Sequence, residues 1–274
     1  MDYPIKEAVT ARYSVRTYDE KPIPPELKRQ LMDYAEGLQN PFGPKLKIQL
    51  IETEAAAKGE KLGTYGIIHG AKTYLAVTVP KVEHAAEAVG YEFEQLVLYA
   101  ASLGLGTCWL GGTFNRSAFA ARIEIGKNEI FPILSPVGYP KKQRAFEQIF
   151  RRSLKADKRQ PWETLFFDGD FDRSLTQAAA GAYAEPLELL RQAPSAVNRQ
   201  PWRVLRTDSG FHFFQKGSMG GEGLDMQRID LGIAICHFHL SALELGLSGQ
   251  LERNCPLVEI PNGLAYVASW INEY

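Results

Sequence analysis

The chain has 274 residues, of which 45% are hydrophobic and 23% are charged. This composition is typical of a protein that folds around a sizeable core, and it excludes intrinsic disorder, a collagen-like repeat and a disulfide scaffold. The 31 Lys and Arg residues are balanced by 32 Asp and Glu residues, which leaves a formal net charge of -1. This balance favours neither nucleic acid nor a membrane surface as a partner.

The cysteines and the N-terminal residues indicate the compartment. Cys108, Cys236 and Cys255 form no Cys-x-x-Cys pair, so a disulfide framework is not expected. The first residues lack the apolar stretch of a signal peptide, and no segment approaches the roughly 20 apolar residues of a membrane helix. We therefore expect a cytoplasmic protein in a reducing compartment.

The hydrophobic pattern predicts two similar series of helices and strands. The first series comprises a helix at 5–12, a helix that begins at the prolines of 22–25, strands at 46–52 and 73–79, a buried helix at 83–103 and a strand at 131–139. The second comprises a helix at 186–190, strands at 202–206 and 211–214, a buried helix at 230–245 and a strand near 264–270. A basic connector at 141–159 separates the two series.

The two long helices resemble each other in sequence. An offset of 142 residues places Gly90 on Gly232 and Gly104 on Gly246, and six of 17 aligned residues are identical. Each series alone would expose one face of its long helix, and pairing the two faces would bury both. We therefore predict an α+β fold of two diverged repeats, 1–160 and 161–274, packed as an intramolecular pseudo-dimer. The alternative is a chance similarity between two apolar helices.

Arg12, Ser14 and Arg16 occupy every second position of one segment. In an extended backbone these three side chains point to one side. Two guanidinium groups and a hydroxyl group suit a phosphate monoester, because arginine binds phosphate oxygens bidentately and keeps its charge. The alternative is a solvated loop whose arginines pair with Asp19 or Glu20.

Two further segments have patterns that suit a ligand. The turn at 193–202 carries Ser195 and Asn198, and the Asn198 amide could bind the edge of a heteroaromatic ring, unless both side chains only satisfy local backbone groups. The segment at 104–112 is rich in glycine, but it follows a helix and lacks the third glycine of a dinucleotide fingerprint. Its backbone N–H groups could approach a flat ligand, unless its glycines only end the helix.

Metal and hydrolase chemistry are not predicted. His237 and His239 are two residues apart on a predicted helix and therefore face away from each other, and Cys236 has no second cysteine or histidine cluster to join. No serine or cysteine is accompanied by the signature of a nucleophile and its base. We expect no metal site and assign no catalytic side chain.

Taken together, the segments at 12–16, 103–112, 137–140 and 193–202 resemble the nitroreductase family of FMN-dependent oxidoreductases. The resemblance implies the family's fold, in which FMN lies at an interface between two subunits. It implies phosphate and ribityl contacts for the first segment, backbone contacts to the flavin ring for the glycine-rich segment, and an opposing wall for the turn. The residues so implied are Arg12, Tyr13, Ser14 and Arg16, then Leu110, Gly111 and Gly112, then Pro194, Ser195, Ala196 and Asn198, with Arg144 or Arg152 completing the phosphate site.

The two repeats carry complementary parts of the family pattern. The first has the arginine and serine motif, but it reads Asn-Pro-Phe-Gly at 40–43 where the Pro-Ser-x-x-Asn turn is expected. The second has the turn, but its segment at 173–177 lacks the second arginine. The resemblance therefore implies one composite FMN site per chain and a monomer that acts as a pseudo-dimer.

The implied activity is transfer of hydride from NADH or NADPH, through FMN, to a nitroaromatic, a quinone or a similar small-molecule electron acceptor. One alternative is a flavin-binding or storage protein of the same fold with little or no turnover. Another is reduction or breakdown of a specific substrate, such as dehalogenation.

Overall fold

The computed structural model describes residues 3–53, 63–141, 158–221 and 223–273, which contain both helices and strands. The helices are α1 (Ile5–Ala11), α2 (Pro25–Glu36), α3 (Ala85–Ser102), α4 (Arg116–Ala120), α5 (Gln177–Ala180), α6 (Ala184–Gln192) and α7 (Met226–Glu244). The strands of the first half are β1 (Lys47–Glu52), β2 (Thr73–Pro80), β3 (Gly106–Thr107) and β4 (Glu129–Gly138). Those of the second half are β5 (Phe166–Asp168), β6 (Asp170–Ser174), β7 (Trp202–Thr207), β8 (Gly210–Lys216), β9 (Gly220–Gly221), β10 (Leu224–Asp225), β11 (Gly249–Glu252) and β12 (Leu264–Asn272).

The two main sheets have equivalent strand orders. In the first half the order is β1-β2-β4-β3, with every neighbouring pair antiparallel. In the second half β7-β8-β12-β11 follow the same order with the same antiparallel pairing. The second sheet is extended beyond β7 by β5, which runs parallel to β7, and by β6. Strands β9 and β10 form a separate two-stranded ribbon.

The two long helices lie at the centre of the core. Helix α3 packs against β2 and β3 of the first sheet, α7 packs against β7 and β8 of the second, and the two helices pack against each other. Both are buried along most of their length because their sequences are apolar on nearly every side. The helices cross at Gly90 and Gly232, where the missing side chains let the backbones approach closely. The predicted pairing of these helices is confirmed.

The remaining elements differ from the sequence prediction mainly at their ends and in short segments. The long elements begin and end within about four residues of their predicted bounds. Strands β5, β6, β9, β10 and β11 were not predicted from the sequence, nor were the short helices α4 and α5. Among the described residues, none of the helices combines the length and the apolarity needed to cross a membrane.

Candidate cofactor site

The segment that carries Arg12, Ser14 and Arg16 is held in an extended conformation by two β-bridges. Ser14 pairs in parallel with Thr107, and the Val15 N–H donates to the Thr107 carbonyl at 2.9 Å. Further along the segment, the His69 N–H donates to the Arg16 carbonyl at 2.8 Å. This backbone geometry produces the predicted alternation of side chains.

The alternation separates the segment into two faces. Val15 and Thr17 are buried on one face, whereas Arg12, Ser14 and Arg16 line a cleft on the other. Tyr13 departs from this alternation, because it is exposed and lines the cleft as well. Val15 packs so closely over Gly106 that a Cβ atom there would lie 2.4 Å from its Cγ2. The glycine at 106 therefore accommodates a core side chain, and it does not line the cleft.

The turn after α6 has a strained backbone. Val197, Asn198 and Gln200 have positive φ angles of 46°, 56° and 51°. Such angles are unfavourable for residues other than glycine, and most of all for a β-branched residue such as Val197. The Ser195 Oγ accepts from the Gln200 N–H at 2.9 Å, which closes the turn.

The turn is also tied to the segment that precedes β5. The Asn198 Nδ2 donates to the Lys158 carbonyl at 3.0 Å, and the Gln200 Nε2 donates to the Asn198 Oδ1 at 3.2 Å. The Gln160 N–H donates to the Gln200 Oε1 at 2.8 Å. Both ends of the Asn198 amide thus have partners within the protein, which favours the local role for this side chain over recognition of a ring edge.

One cleft brings the two predicted motifs together. It holds about 1040 Å³ of space between the atoms, part of it open to solvent. The predicted residues that line it are Arg12, Tyr13, Ser14, Arg16 and Gly111 from the first half, and Pro194, Ser195, Ala196 and Asn198 from the second. Residues more than 170 positions apart in sequence therefore face the same space.

Leu110 and Gly112 do not line the cleft, contrary to expectation. Leu110 forms a β-bridge with Leu134, in which its N–H donates at 2.9 Å and its carbonyl accepts at 3.0 Å. Its side chain is buried, and both of its backbone polar groups bond to Leu134. Gly111 does line the cleft, and a Cβ atom there would lie 2.3 Å from the Cε of Met226.

Arg144 and Arg152, the two candidates for completing the phosphate site, lie outside the described residues. A different arginine of the same connector, Arg159, lines the cleft. Its Nη2 donates to the Gln192 carbonyl at 3.0 Å, which anchors the guanidinium group to the end of α6. The basic connector was visible in the sequence, but the choice of Arg159 depends on contacts that the sequence does not reveal.

Asp230 of α7 is a buried acid on the wall of the cleft. Both of its carboxyl oxygens lie 3.1 Å from the Ala196 N–H, so the side chain holds the turn. Burial raises the pKa of Asp230 from 3.8 to about 8, and the hydrogen bond from Ala196 opposes this shift only in part. Near neutral pH the protonated form of Asp230 therefore predominates.

Several apolar residues of the cleft were not predicted from the sequence. They come from β4 and from the first two turns of α7, and comprise Ile133, Met226, Ile229 and Ile233. Trp109 lines the cleft as well, and its indole Nε1 donates to the Glu94 Oε2 at 2.9 Å. The cleft thus combines three arginines with an apolar lining, a donor set suited to an anionic ligand that has an apolar part.

Comparison with known protein families agrees with this arrangement. The model of a family described as "Putative TM nitroreductase" matches residues 4–242. The chain belongs to this nitroreductase family. Curated proteins give no match to this nitroreductase-family sequence.

Solved structures place the fold of this nitroreductase-family chain. A "putative nitroreductase" from Thermotoga maritima aligns with a TM-score of 0.61 and 21% identity over 99% of this chain and 95% of that chain. A nitroreductase with bound FMN from Bacteroides fragilis aligns with a TM-score of 0.41 and 20% identity over 52% of this chain and 91% of that chain. A nitroreductase family protein from Streptococcus pneumoniae aligns with a TM-score of 0.43 and 16% identity over 52% of this chain and 92% of that chain. The likeness to the Thermotoga protein, which extends over both chains, shows that the fold is nitroreductase-like.

Proposed function

We propose that this nitroreductase-family chain binds one FMN in the cleft and acts as an oxidoreductase. In this proposal it takes hydride from NADH or NADPH and passes it to a nitroaromatic, a quinone or a similar small acceptor. The observation that carries the proposal is that the arginine and serine segment at 12–16 and the turn at 194–198 line one cleft. Each half of the chain contributes the part of the site that the other half lacks.

The residues of the cleft fit the chemistry of FMN. Arg12, Arg16 and Arg159 supply guanidinium groups, and Ser14 supplies a hydroxyl group, for the phosphate. The apolar side chains from β4 and α7 provide a surface for a flat ring. Asp230 does not oppose the phosphate near neutral pH, because its raised pKa of about 8 keeps it largely uncharged.

The chain's own residues would bind and orient the cofactor. FMN supplies the electron chemistry when it is bound, so the site needs no catalytic acid or base of its own. The arginines would fix the phosphate, and the strained turn, held by Asp230 and by Lys158, would form a rigid wall on the other side. Met226 and Gly111 pack together and would exclude water from that part of the lining.

The equivalence of the two sheets supports the proposal of a pseudo-dimer. Four strands of each half share one order and one set of antiparallel pairings, and the two long helices pack at equivalent glycines. A two-fold arrangement of this kind would generate two sites if the halves were identical. Because only the first half has the arginine and serine motif and only the second has the turn, we propose that one site per chain survives and that the chain functions as a monomer.

Anaerobic mixing with a reduced nicotinamide tests the proposed activity. The chain is loaded with FMN, mixed separately with NADH and with NADPH, and followed through the visible absorbance of oxidised flavin. An oxidoreductase loses this absorbance rapidly and regains it when a quinone or nitroaromatic acceptor is added. A chain that binds FMN but is bleached by neither nucleotide would instead be a flavin-binding protein, and the proposed activity would be wrong.

A further inference from the structure

A carboxylate is buried directly behind the cleft. Glu94 of α3 has a fully buried side chain, and its two oxygens face three nitrogen atoms. Its Oε2 accepts from the Trp109 Nε1 at 2.9 Å, and its Oε1 lies 2.8 Å from the His237 Nε2 and 3.8 Å from the Arg12 Nε. Arg12 and Trp109 both line the cleft, whereas His237 belongs to α7 of the other half.

The partners of His237 determine how many protons it shares with Glu94. The His237 Nδ1 lies 3.0 Å from the Leu189 carbonyl, which can only accept, so Nδ1 carries a hydrogen. The His237 Nε2 faces a carboxyl oxygen of Glu94 at 2.8 Å. Two acceptors without a proton between them would repel each other at this distance, so one further proton lies between Nε2 and Oε1. The pair is either imidazolium with carboxylate or imidazole with carboxylic acid.

The surrounding groups favour the charged form. Arg12 is a cation 3.8 Å from Oε1, and the Trp109 N–H donates to Oε2, so both stabilise a carboxylate. The Cys236 thiol and the Tyr3 hydroxyl also interact electrostatically with Glu94, and burial raises the pKa of each well above its ordinary value. Both are therefore neutral and do not compete for the charge of Glu94. A buried ion pair with this many hydrogen-bond partners is a satisfied one.

We propose that Glu94 and His237 form a buried ion pair, one residue from each half, that holds Arg12 and Trp109 in position at the cleft. Glu94 is then a positioning residue, since it acts on a ligand only through other side chains. The charge state of the pair can be tested without a ligand in the cleft. Its effect on FMN rests on the proposed function.

Nitrogen NMR of the full chain tests the charge state without any substitution. The chain has five histidines, which are labelled with ¹⁵N in the ring, and His237 is identified by through-space contacts to Leu189. In the folded chain at neutral pH we expect protons on both ring nitrogens of His237, because Nδ1 faces the Leu189 carbonyl and Nε2 faces the Glu94 carboxyl group. A proton on Nδ1 alone would overturn the ion pair.

A pair of glutamine variants tests the positioning role. Glu94→Gln keeps the shape of the side chain and leaves His237 neutral, with its Nε2 accepting from the new amide. The carboxylate and the imidazolium disappear together, so the net charge behind Arg12 is unchanged and a change in affinity reports position. Glu92→Gln is the matched control, because Glu92 is also buried on α3 but bonds to Asn40, away from the cleft.

We expect Glu94→Gln to weaken FMN binding on the order of 10-fold, with a smaller effect on riboflavin, which lacks the phosphate. Glu92→Gln should bind FMN as the unaltered chain does, and the melting temperature of each variant verifies that it folds. FMN affinity that is unchanged in a folded Glu94→Gln variant would overturn the positioning role. If the unaltered chain binds no FMN, the proposed function fails, and the NMR result still decides the ion pair.

Discussion

Gly90 and Gly232 make reciprocal contacts at the crossing of α3 and α7. A Cβ atom on either glycine would lie 2.9 Å from the Cα of the other. The same Cβ atoms would lie 2.0 Å from the Ile229 carbonyl oxygen and 2.3 Å from that of Glu87, each three residues before the opposite glycine. Contacts that repeat in both directions support the proposed pseudo-dimer, in which the two helices are equivalent.

The helix crossing predicts a large loss of stability when either glycine is replaced. Gly90→Ala or Gly232→Ala would place a methyl group against backbone atoms that cannot move without separating the helices. We expect each to lower the free energy of unfolding by about 3 kcal/mol, the upper end of the cost of overpacking a core. Urea denaturation measures the effect. Gly37→Ala serves as the control, because a Cβ there has no neighbour closer than 3.6 Å, and a similar loss in this variant would contradict the argument.

Replacing Arg16 should specifically weaken binding of the FMN phosphate. Arg16→Ala should weaken FMN binding by about 1.5–3 kcal/mol, the scale of a hydrogen bond to a charged group, and Arg12→Ala should do the same. Fluorescence titration with FMN and with riboflavin measures the difference, which should be confined to FMN. Arg29→Ala on the exposed face of α2 is the control for loss of a positive charge. Equal affinities for FMN in all these variants would contradict the proposal that Arg12 and Arg16 bind the phosphate.

The raised pKa of Asp230 should make the free energy of unfolding depend on pH. Its pKa is raised by burial from 3.8 to about 8, so the folded chain retains a proton that the unfolded chain releases between these values. The contribution of Asp230 to the free energy of unfolding therefore falls as the pH rises from about 4 to about 8. Asp230→Asn removes this dependence and still offers an oxygen to the Ala196 N–H. The free energy of unfolding of Asp230→Asn, relative to that of the unaltered chain, should therefore increase across this pH range and become constant above it.

Chemical denaturation at several pH values checks the Asp230 prediction. Asp33→Asn is the control, because Asp33 is exposed on α2 and the substitution makes the same chemical change. An advantage of Asp230→Asn that stays constant from pH 4 to 8 would mean that this carboxyl group ionises normally in the fold.

Replacing Val197 with asparagine should stabilise the fold by relieving backbone strain. A β-branched residue at a φ of 46° is costly, and asparagine adopts this region more readily. Val197→Asn should raise the free energy of unfolding by about 1 kcal/mol, measured without ligand. Val82→Asn is a closely matched control, since Val82 is 54% exposed, Val197 is 55% exposed, and only Val197 has a positive φ. An equal change in both variants would show that the turn stores no strain at this residue.

The local parts of the site could be predicted from the sequence. The alternation of Arg12, Ser14 and Arg16 depends only on an extended backbone, and the structure confirms that the three side chains face one cleft. The long helices were predicted because their apolar patterns extend over many turns. The hairpin of β5 and β6 was missed, although its Asp168-Gly169 dipeptide is a common hairpin signal.

Features that depend on contacts between distant residues could not be predicted from the sequence. The bridge between Leu110 and Leu134 was not foreseen, because the sequence does not show which distant residue pairs with Leu110. Asp230 was missed, although a lone acid between Ile229 and Leu231 in an apolar helix is a signal that a charge must be buried and accommodated. Arg159 could not be chosen from a connector with many basic residues until its anchoring contact was known.

Titration of FMN into the full chain at known protein concentration tests the composite cleft most directly. Calorimetry gives the number of sites per chain. A single FMN site built from both halves predicts one FMN per 274-residue chain. Two equivalents per chain would mean that each half builds its own site, and no binding would mean that the cleft serves another ligand; either result would contradict the account.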